Sequence, residues 1–128
     1  MTSAAAVLLS TIALGVPIGT FTTTITNADL IAGHAGNLAG NRGTYTLKIQ
    51  AGNSWSMKNT AAGHLINPTQ GGTYRVGPTS VFFTNLFTGG TFTARLSYRS
   101  RLLRFTILRA SRPELRVVFG AHPWRKVG

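Results

Sequence analysis

Residues 91–109 read TFTARLSYRSRLLRFTILR, and the alternation in this stretch decides the fold class. Up to Tyr98 the apolar residues fall on even numbers: Phe92, Ala94, Leu96 and Tyr98, against Thr91, Thr93, Arg95, Ser97 and Arg99. From Leu103 they fall on odd numbers: Leu103, Phe105 and Ile107. Period two marks a half-buried strand, and a slip of one residue inverts every side chain in it. Arg99-Ser100-Arg101 is therefore a turn, a bulge or a boundary between two strands, Thr91–Arg99 and Leu102–Arg109.

The same reading extends in both directions. SVFFTNLF, Ser80–Phe87, is more uniformly apolar and is expected to be buried on both faces. Thr88-Gly89-Gly90 joins it to Thr91–Arg99 as a hairpin. In TYTLKIQA, residues 44–51, Tyr45, Leu47 and Ile49 alternate with polar neighbours. Gly52-Asn53 punctuates, and Trp55 and Met57 then alternate as a hairpin partner. Residues 61–72 read as a loop, and TYRV, residues 73–76, as a short strand ended by Gly77-Pro78. Downstream, Ser111-Arg112-Pro113 breaks the chain, and LRVVF, Leu115–Phe119, reads as a last strand. Residues 120–128 read as an exposed basic tail. The expected fold is mainly β: an antiparallel sandwich or small barrel of about five to seven strands behind an apolar N-terminal arm or short helix. The parts are an arm or anchor (1–27), a Gly-rich linker (28–43), a β domain (44–119) and the tail (120–128).

Charge divides the chain. Thirteen Lys and Arg face two acids, Asp29 and Glu114, for a net charge of +11. A free globular protein gains little from such self-repulsion, so a polyanion is the expected neighbour. Arg outnumbers Lys ten to three, which suits forked contacts with phosphate. The first forty-one residues hold no Lys or Arg, whereas nine of the thirteen lie from Arg95 onward. That polarity points to two environments, one apolar or neutral and one anionic.

The N-terminal AAAVLLSTIALGVPIGTFTTTI, residues 4–25, admits three readings. A signal peptide lacks the preceding basic residue. A membrane helix has the length, at about 1.5 Å per residue, but Gly15, Pro17 and Gly19 interrupt it and Thr20–Ile25 is strand-like. An apolar arm would dock on a neighbouring subunit. In either of the last two readings Val7, Leu8, Leu9, Ile12, Leu14, Val16, Ile18 and Phe21 make the apolar contacts.

Chemistry is constrained by what is scarce. A carboxylate pair would need Asp29 and Glu114 to meet, and a Ser–His–Asp triad would need one of them to orient His34, His64 or His122. No G-x-S-x-G elbow, phosphate-binding loop or dinucleotide fingerprint is present, and there is no cysteine. The Gly-rich ADLIAGHAGNLAGNRG, residues 28–43, lacks the GK[ST] of a phosphate loop and reads as a linker. The chain is expected to be no enzyme and to carry neither a cofactor nor a metal, its histidines being exposed loop residues.

The basic half is left to carry function. The candidate polyanion-binding residues are Arg95, Arg99, Arg101, Arg104, Arg109, Arg112, Arg116, Arg125 and Lys126. Arg95, Arg99 and Arg104 form a sheet-face set, and Arg101, Arg109, Arg112 and Arg116 sit at edges and turns. Such a stripe suits phosphate contact without base reading. Trp124, beside Arg125 and Lys126, is the candidate stacking or interface aromatic. Tyr98 and Phe105 belong to the apolar side by alternation. Three settings fit. The first is a structural subunit of a large assembly, a virion above all, as a coat, cement or minor capsid protein. Its partners are other copies or other subunits, with nucleic acid through phosphate contacts. The second is a membrane-anchored basic protein, including a minor protein of a lipid-containing virion. The third is an RNA-binding component of a ribosome-like particle.

Overall fold

The computed structural model describes residues 16–59 and 69–128. Eight strands run β1 (Gly19–Ile25), β2 (Gly43–Gln50), β3 (Ser54–Asn59), β4 (Thr69–Val76), β5 (Val81–Asn85), β6 (Thr91–Arg99), β7 (Leu102–Ala110) and β8 (Trp124–Val127). Each pairs antiparallel with the next, and β8 returns to β1, closing a barrel. Helices α1 (Asn27–Ala32) and α2 (Leu38–Asn41) join β1 to β2, and α3 (Pro113–Gly120) joins β7 to β8. The fold is mainly β and antiparallel, as the alternation implied. A closed barrel leaves no sheet edge to protect.

The barrel has two unlike ends. The tight connections 51–53, 77–80 and 100–101 gather at one, with the start of β1 and the finish of β8. The three helices and the 86–90 loop gather at the other. The break between β6 and β7 is a two-residue turn. Arg99 pairs with Leu102, and Ser100 (φ 53°) and Arg101 (φ 64°) are both left-handed. A two-residue hairpin needs positive φ at both central positions to match strand twist. Two carbonyls at the chain end secure this one, as the Arg101 guanidinium donates to Lys126 O at 3.2 Å and Gly128 O at 2.7 Å.

Inward residues fill the barrel. Phe21, Leu47, Ile49, Trp55, Phe83, Ala94, Leu103 and Phe105 are buried and contiguous. Phe119 comes to their centre from α3. Its ring centroid lies 4.4 Å from that of Phe92, 5.3 Å from Phe105, and 5.8 Å from both Trp55 and Trp124. Offset and edge-on rings at these separations add to the area term. Where β3, β4 and β5 run side by side, a Cβ on Gly72 would overlap the Thr84 carbonyl, so only glycine fits there.

Several expectations change. The described residues hold eight strands, just above the expected five to seven. The segment expected as the end of an arm is β1, because Phe21, Thr23 and Ile25 alternate inward and pair against β2 and β8. Residues 28–43 hold two short helices, where a linker was expected. Thr26 and Asp29 form a reciprocal capping box that starts α1: the Thr26 N–H donates to the Asp29 carboxylate at 2.9 Å, and the Asp29 N–H to the Thr26 hydroxyl at 3.2 Å. β4 begins at Thr69, inside the expected loop. β5 stops at Asn85, leaving Leu86 and Phe87 exposed. LRVVF is helical. Pro113 occupies the first turn with Glu114, and Val117, Val118 and Phe119 are buried in succession as the short helix covers the barrel mouth. Residues 124–127 form the closing strand, where an exposed tail was expected.

Phe119→Ala is expected to cost about 3–5 kcal/mol, seen as a lower urea midpoint. Asp29 supplies a pH-dependent test. Burial pushes its pKa up, but hydrogen bonds from Thr26 and His122 outweigh this and hold it below 3.8. A carboxylate lowered in the fold stabilises at pH above its unfolded value, and the contribution disappears as pH falls through the folded one. Asp29→Ala is therefore expected to cost about 1 kcal/mol at neutral pH. The gap from the parent protein should narrow below pH 3.8.

Candidate polyanion-binding face

Residues that pair across strands point to the same side of the barrel wall, so register places the arginines. On the outer side of β6 and β7, Arg95 faces Thr106, Ser97 faces Arg104, and Arg99 faces Leu102. The register then shifts between Thr93 and Ala94: Ala94 faces Ile107, but Thr93 faces Arg109. Leu108 is the extra residue of a bulge. Without it Arg109 would fall on the inner side with Ile107. With it, Arg109 stands outside beside Thr93. Arg125 of β8 continues the face, opposite Leu102 on one side and Thr22 on the other.

Two further members were missed in the sequence. Arg75 pairs with Phe82, Phe82 with Thr93, and Thr93 with Arg109, making one outer row across four strands. The Arg75 guanidinium lies 5.1 Å over the Phe82 ring. The signal lies in the alternation of TYRV and SVFFT, where Arg75 and Phe82 fall on the face opposite the buried Tyr74, Val81 and Phe83. Two shallow depressions flank Leu102, one holding Ser97, Arg99 and Arg104, the other Thr22, Thr44 and Arg125.

Within the described residues this face has no internal counter-charge. Glu114 accepts the Gly36 N–H at 3.0 Å, and Asp29 accepts from Thr26 and meets His122 Nε2 at 2.9 Å. Both acids belong to the helical end. Arg95, Arg99, Arg104, Arg109 and Arg125 are exposed, and none donates to a carboxylate or carbonyl of the described chain. Their planar forks face solvent, and a guanidinium fork has the geometry to contact an oxyanion through two parallel N–H groups.

The other candidates divide differently. Arg101 is tied to the chain end as described. Arg112 donates to Thr88 O at 3.1 Å and Arg116 to Ile107 O at 3.3 Å. Lys126 pairs with Phe21 on the inner side, near the barrel's hairpin end, and so leaves the outer face. Trp124 is no exposed stacking residue. It is 0% exposed in the core, and its indole N–H donates to Phe119 O at 3.1 Å. Tyr98 points inward at the open rim, edge-on to Phe21 at 5.9 Å, and Phe105 is buried. Of the apolar arm, Val7, Leu8, Leu9, Ile12 and Leu14 lie outside the described residues. Val16 packs against the core, Ile18 is exposed and Phe21 is a core residue of β1.

A cleft of about 350 Å³ opens at the helical end, floored by Tyr45, Met57, Val118 and Phe119 and rimmed by Arg112 and Glu114. The Tyr45 hydroxyl donates to Asn41 O at 2.6 Å, and burial pushes its pKa up to about 12. Among the described residues no three of His, Cys, Asp and Glu gather as a metal site. The His122–Asp29 pair ties the α3–β8 connection to α1.

The division between free and tied arginines predicts their stability effects. Arg104→Gln should leave the melting temperature unchanged or slightly raised, since it relieves repulsion and breaks no internal bond. Arg101→Ala should cost about 1 kcal/mol by freeing the β6–β7 turn from the chain end. Thermal denaturation of the two variants checks both. Comparison with protein-family models, with curated proteins and with solved structures finds no match.

Proposed function

We propose that this barrel is a structural subunit of a larger assembly, with a virion the best-fitting setting, and that its outer β6–β7–β8 face lies against nucleic acid or another polyanion. The observation that carries this is the arginine face itself. Its guanidinium groups have no counter-charge in the described chain, while both acids are held at the helical end. Neutralisation of a net charge of +11 must come from outside. The aromatic packing of the barrel centre also favours a structural role over carriage of a ligand along the axis.

A membrane-anchored setting is the second reading. Ile18, Tyr98 and Val127 are exposed at the hairpin end, from which β1 leads back to the apolar residues 4–14. The polyanion would then be acidic lipid.

The test uses the full chain, a chain lacking residues 1–15, and Arg95→Gln/Arg99→Gln/Arg104→Gln/Arg109→Gln. The truncation keeps β1 whole and is expected to stay folded but fail to assemble. The charge variant is expected to elute from a heparin column at clearly lower salt than the parent. Normal assembly of the truncation argues against the arm, and unchanged elution argues against the face. Partition of the full chain into membranes that resists both salt and carbonate would transfer the assignment to the second reading.

A further inference from the structure

The outer arginines form a regular ladder. By register, Arg109 stands level with Thr93, Arg95 at its own level, Arg104 level with Ser97, and Arg99 at the last level. Successive rungs therefore rise by two residues and alternate between β7 and β6. Each rung is the diagonal cross-strand neighbour of the next, about 7–8 Å away. Arg125, opposite Leu102, widens the ladder at the level of Arg99. The bulge at Leu108 is what brings Arg109 into step. A plain ladder would have turned it inward and shortened the array by a rung.

We propose that Arg109, Arg95, Arg104 and Arg99 are a track for the phosphate backbone of an extended single-stranded nucleic acid. This rests on the polyanion reading above and narrows it to one partner. The rung spacing matches the step between successive phosphates of a strand drawn out to nearly full length. The four rungs follow a single line only two β-strands wide, about 5 Å, on a convex wall. Arg125 lies one strand beyond this pair at the level of the last rung, and Arg75 two strands beyond it on the other side at the level of the first. A duplex held across its major groove would present two backbones about 12 Å apart, and this line engages only one of them. Threonine and serine hydroxyls at Thr93, Ser97 and Thr106 stand between the guanidinium groups and add donors to phosphate or sugar oxygens. The aromatic rings of β6 and β7 turn inward, so the track holds backbone and reads no base.

Counterion release makes the proposal quantitative. Four phosphates neutralised on a single strand give a slope of log K against log salt of about −3. Removing one rung should reduce the slope by about 0.7 and weaken binding about fivefold at 0.1 M salt. The experiment measures binding of the full chain to fluorescent oligothymidylates of increasing length, to a duplex of equal phosphate number, and to inorganic polyphosphate. It does so for the parent, Arg104→Gln, Arg109→Gln and the equal-charge control Arg116→Gln. The rung arginines make no internal bonds among the described residues, so the two rung variants should fold as the parent does; melting curves of all three variants check this.

The expected result is affinity that rises steeply up to about four or five phosphates and then only gradually. The two rung variants should each lose about fivefold, the control should lose less than twofold, and the duplex should bind more weakly than the single strand. Equal losses from rung and control, or duplex binding as tight as single-strand binding, would overturn the track. If polyphosphate binding remains sensitive to the rungs in that case, the polyanion face survives without it. If no polyanion binds, the face itself is refuted.

Discussion

The barrel depends on one side chain placed on its axis by a helix. Eight short strands enclose a space that their own inward residues do not fill at the helical end. Phe119 fills it, meeting rings from β3, β5, β6, β7 and β8. Its backbone carbonyl also accepts the Trp124 indole N–H. The residue that plugs the barrel thus fixes the first residue of the strand that closes it. β8 has only four residues and makes few ladder contacts with β7, at Leu102 and Leu103. The indole anchor and the shared aromatic cluster supply what so short a strand lacks. Close contact between α1 and α3 completes the cover, because a Cβ at Gly33 would overlap the Val117 side chain.

Alternation made most of this wall legible. Where a strand runs six residues or more with one face buried, as in β2, β3, β6 and β7, period two is a physical consequence of the pleat. The inverted phase marks a break at Arg99-Ser100-Arg101 for the same reason, and the structure resolves that break as a two-residue turn. Legibility failed where tertiary packing overrides local preference. LRVVF has a strand-like composition, yet it is a helix because three consecutive apolar side chains find cover over a barrel mouth. Its start was nonetheless written in Arg112-Pro113-Glu114, a proline and an acid in the first turn. The Thr26–Asp29 capping box likewise stands in the sequence, next to a glycine-rich run whose composition favours a linker. The basic neighbours of Trp124 point to solvent, and a four-residue strand is too short for alternation to show that its ring turns inward.

The candidate face was partly legible for the same reasons. Arg95, Arg99 and Arg104 follow from strand parity alone. Arg109 does not, because a bulge changes parity and leaves no sequence mark beyond the adjacent pair Leu108-Arg109. Arg101, Arg112 and Arg116 carry the same charge, but their guanidinium groups are used by carbonyls of their own chain. Sequence counts charges. Which of them are free to meet a partner depends on where the chain's own acceptors lie.

A closed barrel is a suitable carrier for such a face. Its stability comes from the inner residues of each strand, so the outer residues can change without loss of core. Arg104 on β7 stands diagonally between Arg95 and Arg99 on β6, about 7–8 Å from each, no farther than the Debye length of about 8 Å at physiological salt. The intervening positions on β6 and β7 carry Thr, Ser and Leu rather than acids, although Glu or Asp there would have relieved the repulsion. A surface arranged only for solubility gains from mixed signs. One that sets its cations a rung apart, leaves them unpaired within the described chain and bends a strand to add another supports the proposal of an anion supplied from outside.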